Sequence, residues 1–484
     1  MKFARTAFAT FAVALGTFVV DAGASTVPTW KGAQTVTLPN GGSSLPQGYL
    51  PDLSCPSTGN CIAAGDFVDN SSNNFGFIAN EVMGTWKVPI TIVPPSNAAT
   101  KPGLTPYGSS CATAGNCVVV GNYVDGAGDS LGFVASEVGG SWHSATQVPL
   151  PPNALGAGQT TLVSAVSCPS NASCTAVGSY SAASASPLLA STQGVILSEV
   201  KGSWRAAVIA LPANANVNPM ASLGQVACST AGSCVATGTY VDTNSVSHGL
   251  IVTDTAGVWS NGAAMTLPAN AGAYPNAKVS SLACASVRSC TAIGTYLTRQ
   301  IGREGFTIGS TNGVWHRAVR IKLPAGAGAN PRVFFFGFAG VSCPAVASCT
   351  TGGQYVDASG NYQGFVLNQV KGVWQTATVL QLPAGASMVG PYGGAVAVTC
   401  VAAGTCSEGA AYLDARGDYQ ALVVSEVADR WVASTTMSLP SGATAVGIDG
   451  GVYGLVCPAS GGCTASGSYL DARGSYQGFT ATAN

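Results

Sequence analysis

The sequence predicts an all-β fold, an eight-bladed β-propeller, and three observations predict it: eight evenly spaced cysteine pairs, eight tryptophans on the same beat, and chain ends that together complete one unit. The pairs are Cys55/Cys61, Cys111/Cys117, Cys168/Cys174, Cys228/Cys234, Cys284/Cys290, Cys343/Cys349, Cys400/Cys406 and Cys457/Cys463, each with five residues between partners and recurring every 56 to 60 residues. The tryptophans are Trp30, Trp86, Trp142, Trp204, Trp259, Trp315, Trp374 and Trp431. From the second cysteine of a pair to the next tryptophan is 25 residues in six of seven cases, and 30 in the third unit, where Ser184 to Leu189 is an insertion. A period of this length marks a repeat architecture.

Each unit reads as four short strands. The first ends at the leading cysteine, as in Val163 to Cys168, and the second runs from its partner, as in Cys174 to Tyr180, with period-two alternation. A Gly-rich turn, often with Asp, leads to a third strand such as Gly132 to Val138. The fourth runs from Trp to a Leu-Pro such as Leu150-Pro151, where proline stops pairing. Four strands per unit, joined by short turns, match a propeller blade rather than a helical repeat. Closure follows from phase. The N-terminal segment enters at a fourth strand, Trp30 to Leu38, and the chain stops after a third, Gly478 to Ala483. The N-terminal strand is therefore expected to pair with the last C-terminal strand, a latch that removes free edges.

Ahead of the repeats, residues 1–24 read as a signal peptide. Lys2 and Arg5 form a positive n-region, Ala7 to Val20 an apolar h-region, and Ala22-Gly23-Ala24 a small-x-small cleavage site before Ser25. An uncleaved anchor is the alternative, against which stand Asp21 and the cleavage pattern. Residues 25–484 are then one propeller domain, expected to be secreted or extracytoplasmic, soluble and monomeric. Sixteen cysteines suit an oxidising compartment. Charged residues are 8% of the chain and the net charge is −1, so there is no global basic field for nucleic acid, while an apolar fraction of 47% argues against a disordered chain.

The stretch Val166 to Tyr180, VSCPSNASCTAVGSY, and its seven relatives resemble the tandem repeats of a secreted bacterial β-propeller family of no assigned activity. The resemblance covers all of residues 25–484 and implies fold and export, with no catalytic residues to carry over. The split unit is similar to the closure of WD-repeat propellers, although their Gly-His and Trp-Asp signatures are absent. The longer tryptophan-docking motif of eight-bladed quinoprotein dehydrogenases is absent too, and no cofactor is implied.

Structural readings account for most repeated residues. Paired cysteines across a tight turn should form local disulfides; zinc would need two distant pairs, and the three histidines do not recur beside them. Asp69, Asp125, Asp242, Asp357, Asp414 and Asp471 follow the second strand and suit turn caps, calcium being the alternative that too few carboxylates support. The acids five residues before Trp (Glu81, Glu137, Glu199, Asp254, Glu426) read as scaffold, and the tryptophans as packing between blades rather than a sugar-stacking ladder.

Function is sought where the repeats disagree. Unit five has Thr298 for the turn Asp, and between Lys278 and Arg332 it gathers Lys278, Arg288, Arg299, Arg303, Arg317, Arg320, Lys322 and Arg332 against Glu304 alone. Those are eight of the 19 basic residues, and the rest of residues 25–484 is net acidic. Strand alternation puts Lys278, Arg299, Arg303 and Arg332 on one rim beside Phe334, Phe335 and Phe336. Arg317, Arg320 and Lys322 suit edge protection; for the rim four, anion binding and a solvated loop both remain open. His143, His248 and His316 form no visible constellation with an acid and a nucleophile. Glu408 stands where other units carry Ala, Val or Thr, as a structural carboxylate or an acid of raised pKa. The expectation is a binding or adhesion propeller whose partner is a glycan, an acidic polymer or a protein. The alternative is an exported carbohydrate-active hydrolase or lyase using the central channel, with Asp52 and Asp449 as scattered acids.

Overall fold

The computed structural model describes residues 27–39, 47–183, 191–286, 288–300, 302–328, 331–335, 340–390, 394–432, 434–447, 451–459 and 462–484. Residues 1–24, read above as a signal peptide, the third-unit insertion, Phe336 and Asp449 lie outside them. The described residues form eight antiparallel sheets, one per repeat, with no helix. Blade 2 is representative. An inner strand Thr105–Thr113 turns through the cysteine hairpin into Asn116–Val124, which pairs with Ser130–Val138, and the outer edge is Ser141–Trp142 and Thr146–Gln147. Each inner strand packs beside the next around the ring, and the inner strand of blade 8 packs beside that of blade 1.

The ring closes as the phase of the repeats predicts. Gln34 and Thr35 pair with Thr480 and Phe479 of the last strand, and Trp30 bridges Ala483. The Lys31 amide donates to the Thr482 carbonyl at 2.9 Å and that of Val36 to Gly478 at 2.9 Å. Val36 is the residue six after Trp30, and Ile92, Val148, Met265, Ile321, Leu380 and Met437 hold the same place after their tryptophans, all buried. The N-terminal segment thus supplies blade 8 with the apolar residue that the outer strands of six other blades supply.

The fourth strand differs from the continuous run expected from sequence. In most blades it makes two residue pairs at Trp, breaks, and makes two more. In blades 2, 5, 6 and 8 the break has a cause: the amide three residues after Trp leaves its own sheet and donates to the outer strand of the preceding blade, whereas in blade 1 that residue is Pro89, which has no N–H to donate. These bonds are Ala145 to Val93, Ala318 to Thr266, Ala377 to Lys322 and Ala33 to Ser438, each 2.8 Å. Blade 3, where Ser203–Val208 is unbroken, keeps those residues in its own ladder. An inner belt mirrors this outer one. Hydroxyls of Ser54, Ser110, Ser167, Ser342 and Thr399 accept from the amide of the first cysteine of the next blade at 2.9 to 3.2 Å.

All eight cysteine pairs are bonded within their own hairpins: Cys55–Cys61, Cys111–Cys117, Cys168–Cys174, Cys228–Cys234, Cys284–Cys290, Cys343–Cys349, Cys400–Cys406 and Cys457–Cys463. Closing so small a loop contributes about 2 kcal/mol each by chain-entropy scaling, and eight of them suit an oxidising, extracytoplasmic environment. The two members of a pair differ, which their equal spacing does not predict. The second one (Cys61, Cys117, Cys174, Cys234, Cys290, Cys349, Cys406, Cys463) is at most 4% exposed in every blade, whereas the first is half-buried in six of the eight. The reason is its position at the start of the second strand, which is covered by the preceding blade. Threonine hydroxyls of that blade, Thr464, Thr175, Thr291 and Thr350, reach the sulfurs of Cys61, Cys234, Cys349 and Cys406 at 3.3 to 3.6 Å. These eight cysteines therefore belong to the packing between blades, and Cys61 and Cys117 also line a cavity of about 290 Å³ between blades 1 and 2.

The tryptophans pack in the clusters between blades, as expected; Trp142 Nε1 reaches back to Asn80 Oδ1 of blade 1 at 3.3 Å. Among the described residues no helix is long and apolar enough to cross a membrane.

Candidate functional site

The repeated polar residues serve the scaffold. In the turn between second and third strands, one oxygen of Asp125 accepts from the amides of Ala127 and Asp129, both at 2.9 Å, and Asp69, Asp242, Asp357, Asp414 and Asp471 do the same. These amide bonds hold the carboxyls of Asp69, Asp242, Asp357 and Asp414 below the usual range. In blade 5 the Thr298 hydroxyl takes the same two amides, from Gln300 and Gly302. The acids before Trp are buried behind the disulfide hairpins, and that burial raises the carboxyls of Glu81, Glu137, Glu199, Asp254 and Glu426. Asn80 donates to Glu137 across a blade boundary, as Asn368 does to Glu426. His248 bonds Asp242 Oδ2 at 3.0 Å and stacks on Tyr240.

Two regions depart from the repeat. The first is the loop end of blade 5. Lys278 opens the inner strand Lys278–Ser286 opposite Thr295, and Arg303 opens the third strand Arg303–Thr311 and donates to the Thr295 hydroxyl at 3.4 Å. Lys278 and Arg303 therefore both stand over Thr295, Lys278 exposed and Arg303 half-buried. Arg299, exposed in the capped turn, donates to the Ala269 carbonyl at 3.2 Å. Arg332 is exposed in the approach to blade 6, where its carbonyl takes the Val356 amide. Of the aromatics, both Phe334 and Phe335 are half-buried: Phe335 packs against the blade 6 core, edge-on to Phe365, and Phe334 lies beside Tyr362, with ring centroids 6.3 Å apart.

The fate of Glu304 decides the charge of this rim. Its carboxylate is buried, ion-paired with Arg320 at 2.8 Å, and takes donors from Asn270 and Tyr296, each at 2.8 Å. Arg320 thus has a role in addition to guarding an edge. Burial and the same carboxylate push the Tyr296 hydroxyl up. The sector's one acid is consumed inside the blade, and among the described residues none of Lys278, Arg299, Arg303 and Arg332 has a carboxylate within ion-pair distance.

The second region is the central channel, a cavity of about 320 Å³ lined by residues of all eight blades. A β-bulge shapes it. In blade 3 the register slips between Val163 and Ala165, putting Ser164 out of the ladder, and six other inner strands slip at or beside the equivalent position. Six of these seven slips share a feature of the second strand, whereas blade 7 slips with Ala410 in that place. Gly178 faces the slip, and a Cβ there would stand 1.7 Å from the Leu162 carbonyl oxygen; Gly121 and Gly467 are placed alike. The glycine admits the bulge, and the bulge presents Tyr107, Ser164, Ser280 and Tyr453 to the channel.

Asp52 of blade 1 lines the same channel, with Tyr453 on the preceding blade and Tyr107 on the next. Its Oδ2 is covered and has no hydrogen-bond partner. Burial pushes this carboxyl up to about 6, opposed by the Ser109 hydroxyl and the Leu53 amide. Sequence reasoning named Asp52 but missed the tyrosines; counting four residues back from each leading cysteine finds them. Glu408 is fully buried on the strand Thr405–Asp414, neither oxygen has a hydrogen-bond partner, and burial raises it well above the usual carboxylate range. It does not line the channel. Among the described residues no three His, Cys, Asp or Glu side chains come together as a metal site.

No family model and no curated protein matches the chain. Among solved structures it is similar to a polysaccharide lyase, an ulvan lyase, at 10% identity over 86% of this chain and 100% of that one, with a TM-score of 0.41. It is also similar to the NanB sialidase from Streptococcus pneumoniae (12% identity, 94% of this chain and 70% of that one, TM-score 0.35). A protein of unknown function from Dyadobacter fermentans matches at 10% identity, 82% and 99% coverage, and TM-score 0.36. None of these likenesses bears on what this chain does.

Proposed function

We propose that this chain is an extracytoplasmic binding propeller that holds an anionic polymer, such as an acidic envelope polysaccharide, on the blade 5 rim. The observation that carries the reading is the burial of Glu304 against Arg320, which leaves Lys278, Arg299, Arg303 and Arg332 without a carboxylate partner. Outside this sector residues 25–484 hold nine bases (19 − 2 − 8) and 18 acids (20 − 2), so the rim is a local positive field on a negative molecule. Arginine forks take carboxylate, sulfate or phosphate pairwise, and Phe334 beside Tyr362 adds apolar surface for a sugar ring. Three of the four cations start from strand ends or a capped turn, so they are held on rigid supports. Binding to immobilised polygalacturonate, dextran sulfate and neutral dextran tests the reading. The acidic polymers should bind and neutral dextran should not, with affinity falling as salt rises. Equal binding to neutral dextran, or binding indifferent to salt, would overturn it.

A further inference from the structure

The central channel has a chemistry opposite to that of the rim. Its lining includes Asp52, serine hydroxyls, the Gln225 amide and two tyrosines, and among the described residues no Lys, Arg or His. Asp52 therefore lies in the channel wall without a counter-charge, its Oδ2 covered and without a hydrogen-bond partner. Consecutive blades put Tyr453, Asp52 and Tyr107 side by side on the wall, and Tyr107 is 46% exposed, so this wall is reachable.

We propose that this wall is a second binding site, specific for a compact organic molecule carrying a primary ammonium and hydroxyl groups. The ammonium pairs with Asp52, and the tyrosine faces on either side stabilise the cation. Hydroxyls of the ligand exchange hydrogen bonds with Ser164 and Ser280. A metal ion is a poorer occupant, because a hard divalent cation wants six to eight oxygens and the wall offers one carboxylate. An anion is excluded by the absence of a base. A volume of about 320 Å³ admits a molecule of monosaccharide size and not a polymer chain.

The ammonium could belong to an amino sugar or to an aliphatic amine, and the probes separate the two. Glucosamine, glucose and putrescine are titrated against the full chain by calorimetry. Glucosamine should bind at least tenfold more tightly than glucose, which has a hydroxyl in place of the ammonium. Asp52→Asn should remove that preference, and Tyr107→Ala should weaken glucosamine several-fold while leaving the melting temperature unchanged. Putrescine, which carries no hydroxyl, should bind more weakly than glucosamine; putrescine binding as tightly would overturn the reading of the hydroxyls. The triple variant Arg299→Ser, Arg303→Ser, Arg332→Ser should bind glucosamine as the parent does, which separates this site from the rim. Glucose binding as well as glucosamine, no glucosamine binding, or a preference that survives both Asp52→Asn and Tyr107→Ala would overturn the proposal.

Discussion

Val36 is the place to break the ring. It is 6% exposed and packs against Leu50, Phe67 and Phe77 of blade 1, while Val148, 2% exposed, holds the same place within the chain. Val36→Asp loses the burial of a valine, about 2 kcal/mol. It also sets a carboxyl among apolar side chains without a partner, for about 3 kcal/mol at the low end of such costs. The sum is about 5 kcal/mol, against roughly 0.5 kcal/mol for a substitution in an exposed tail. At about 2 cal/mol/K per residue, a chain of this length gains about 1 kcal/mol/K on unfolding, so the melting temperature should fall by about 5 °C. Scanning calorimetry with disulfides intact measures it, with Val148→Asp as the internal standard of equal size. If Val36→Asp melts with the parent while Val148→Asp falls, the N-terminal segment is a free tail and the ring is not closed by it.

Non-reducing peptide mapping should recover each cysteine pair within its own hairpin; a linkage between blades would contradict the blade boundaries. Burial raises Asp52 and Asp66 to about 6 from 3.8, so the folded state holds their protons more tightly than the unfolded one. Their contribution is full below about pH 4 and lost as pH rises through about 6, up to about 3 kcal/mol each. The protein should melt higher at pH 5 than at pH 8, and Asp66→Asn should flatten that slope; an unchanged slope contradicts the assignment. Glu408→Leu replaces an unpartnered buried carboxyl with an apolar side chain of similar volume and should stabilise by about 1–3 kcal/mol at pH 8, read as a higher guanidinium midpoint; destabilisation would show that the carboxyl has a partner.

The repeats made the fold legible because each blade spells the same pattern: a turn between cysteines, an Asp to cap the next turn, Trp to start the outer edge. The phase of Trp30 against Gly478–Ala483 carried the closure. What repetition hides is any feature that depends on a neighbouring blade. The break in the outer strand falls at an alanine three residues after Trp in blades 2, 5, 6 and 8, but an alanine does not announce that its amide bonds a carbonyl on the preceding blade. For the same reason the spacing of Cys228 and Cys234 announces their bond but not that Cys234 alone is sealed under Thr175. The bulge was written in the glycine four residues after seven of the eight second cysteines, blade 7 having Ala410 there, but a glycine in a strand reads equally as a weak spot until its facing carbonyl is known. At the rim, the imbalance of charge was visible, whereas the capture of Glu304 by Arg320, Asn270 and Tyr296 required three segments to be brought together. Phe335 shows the converse: three phenylalanines in a row read as one aromatic patch, yet Phe335 packs against the core beside Phe365 and Phe334 lies beside Tyr362, both half-buried.

One titration tests the blade 5 rim most directly: binding of dextran sulfate to the parent and to the variant carrying Arg299→Ser, Arg303→Ser and Arg332→Ser, across ionic strengths. The substitutions lie in loops and at a strand end, so the variant should melt as the parent does. It should bind at least tenfold more weakly at low salt and lose most of the salt dependence, because fewer charges remain to be screened. A folded variant that binds as tightly as the parent, with the same dependence on salt, would contradict the assignment of the rim.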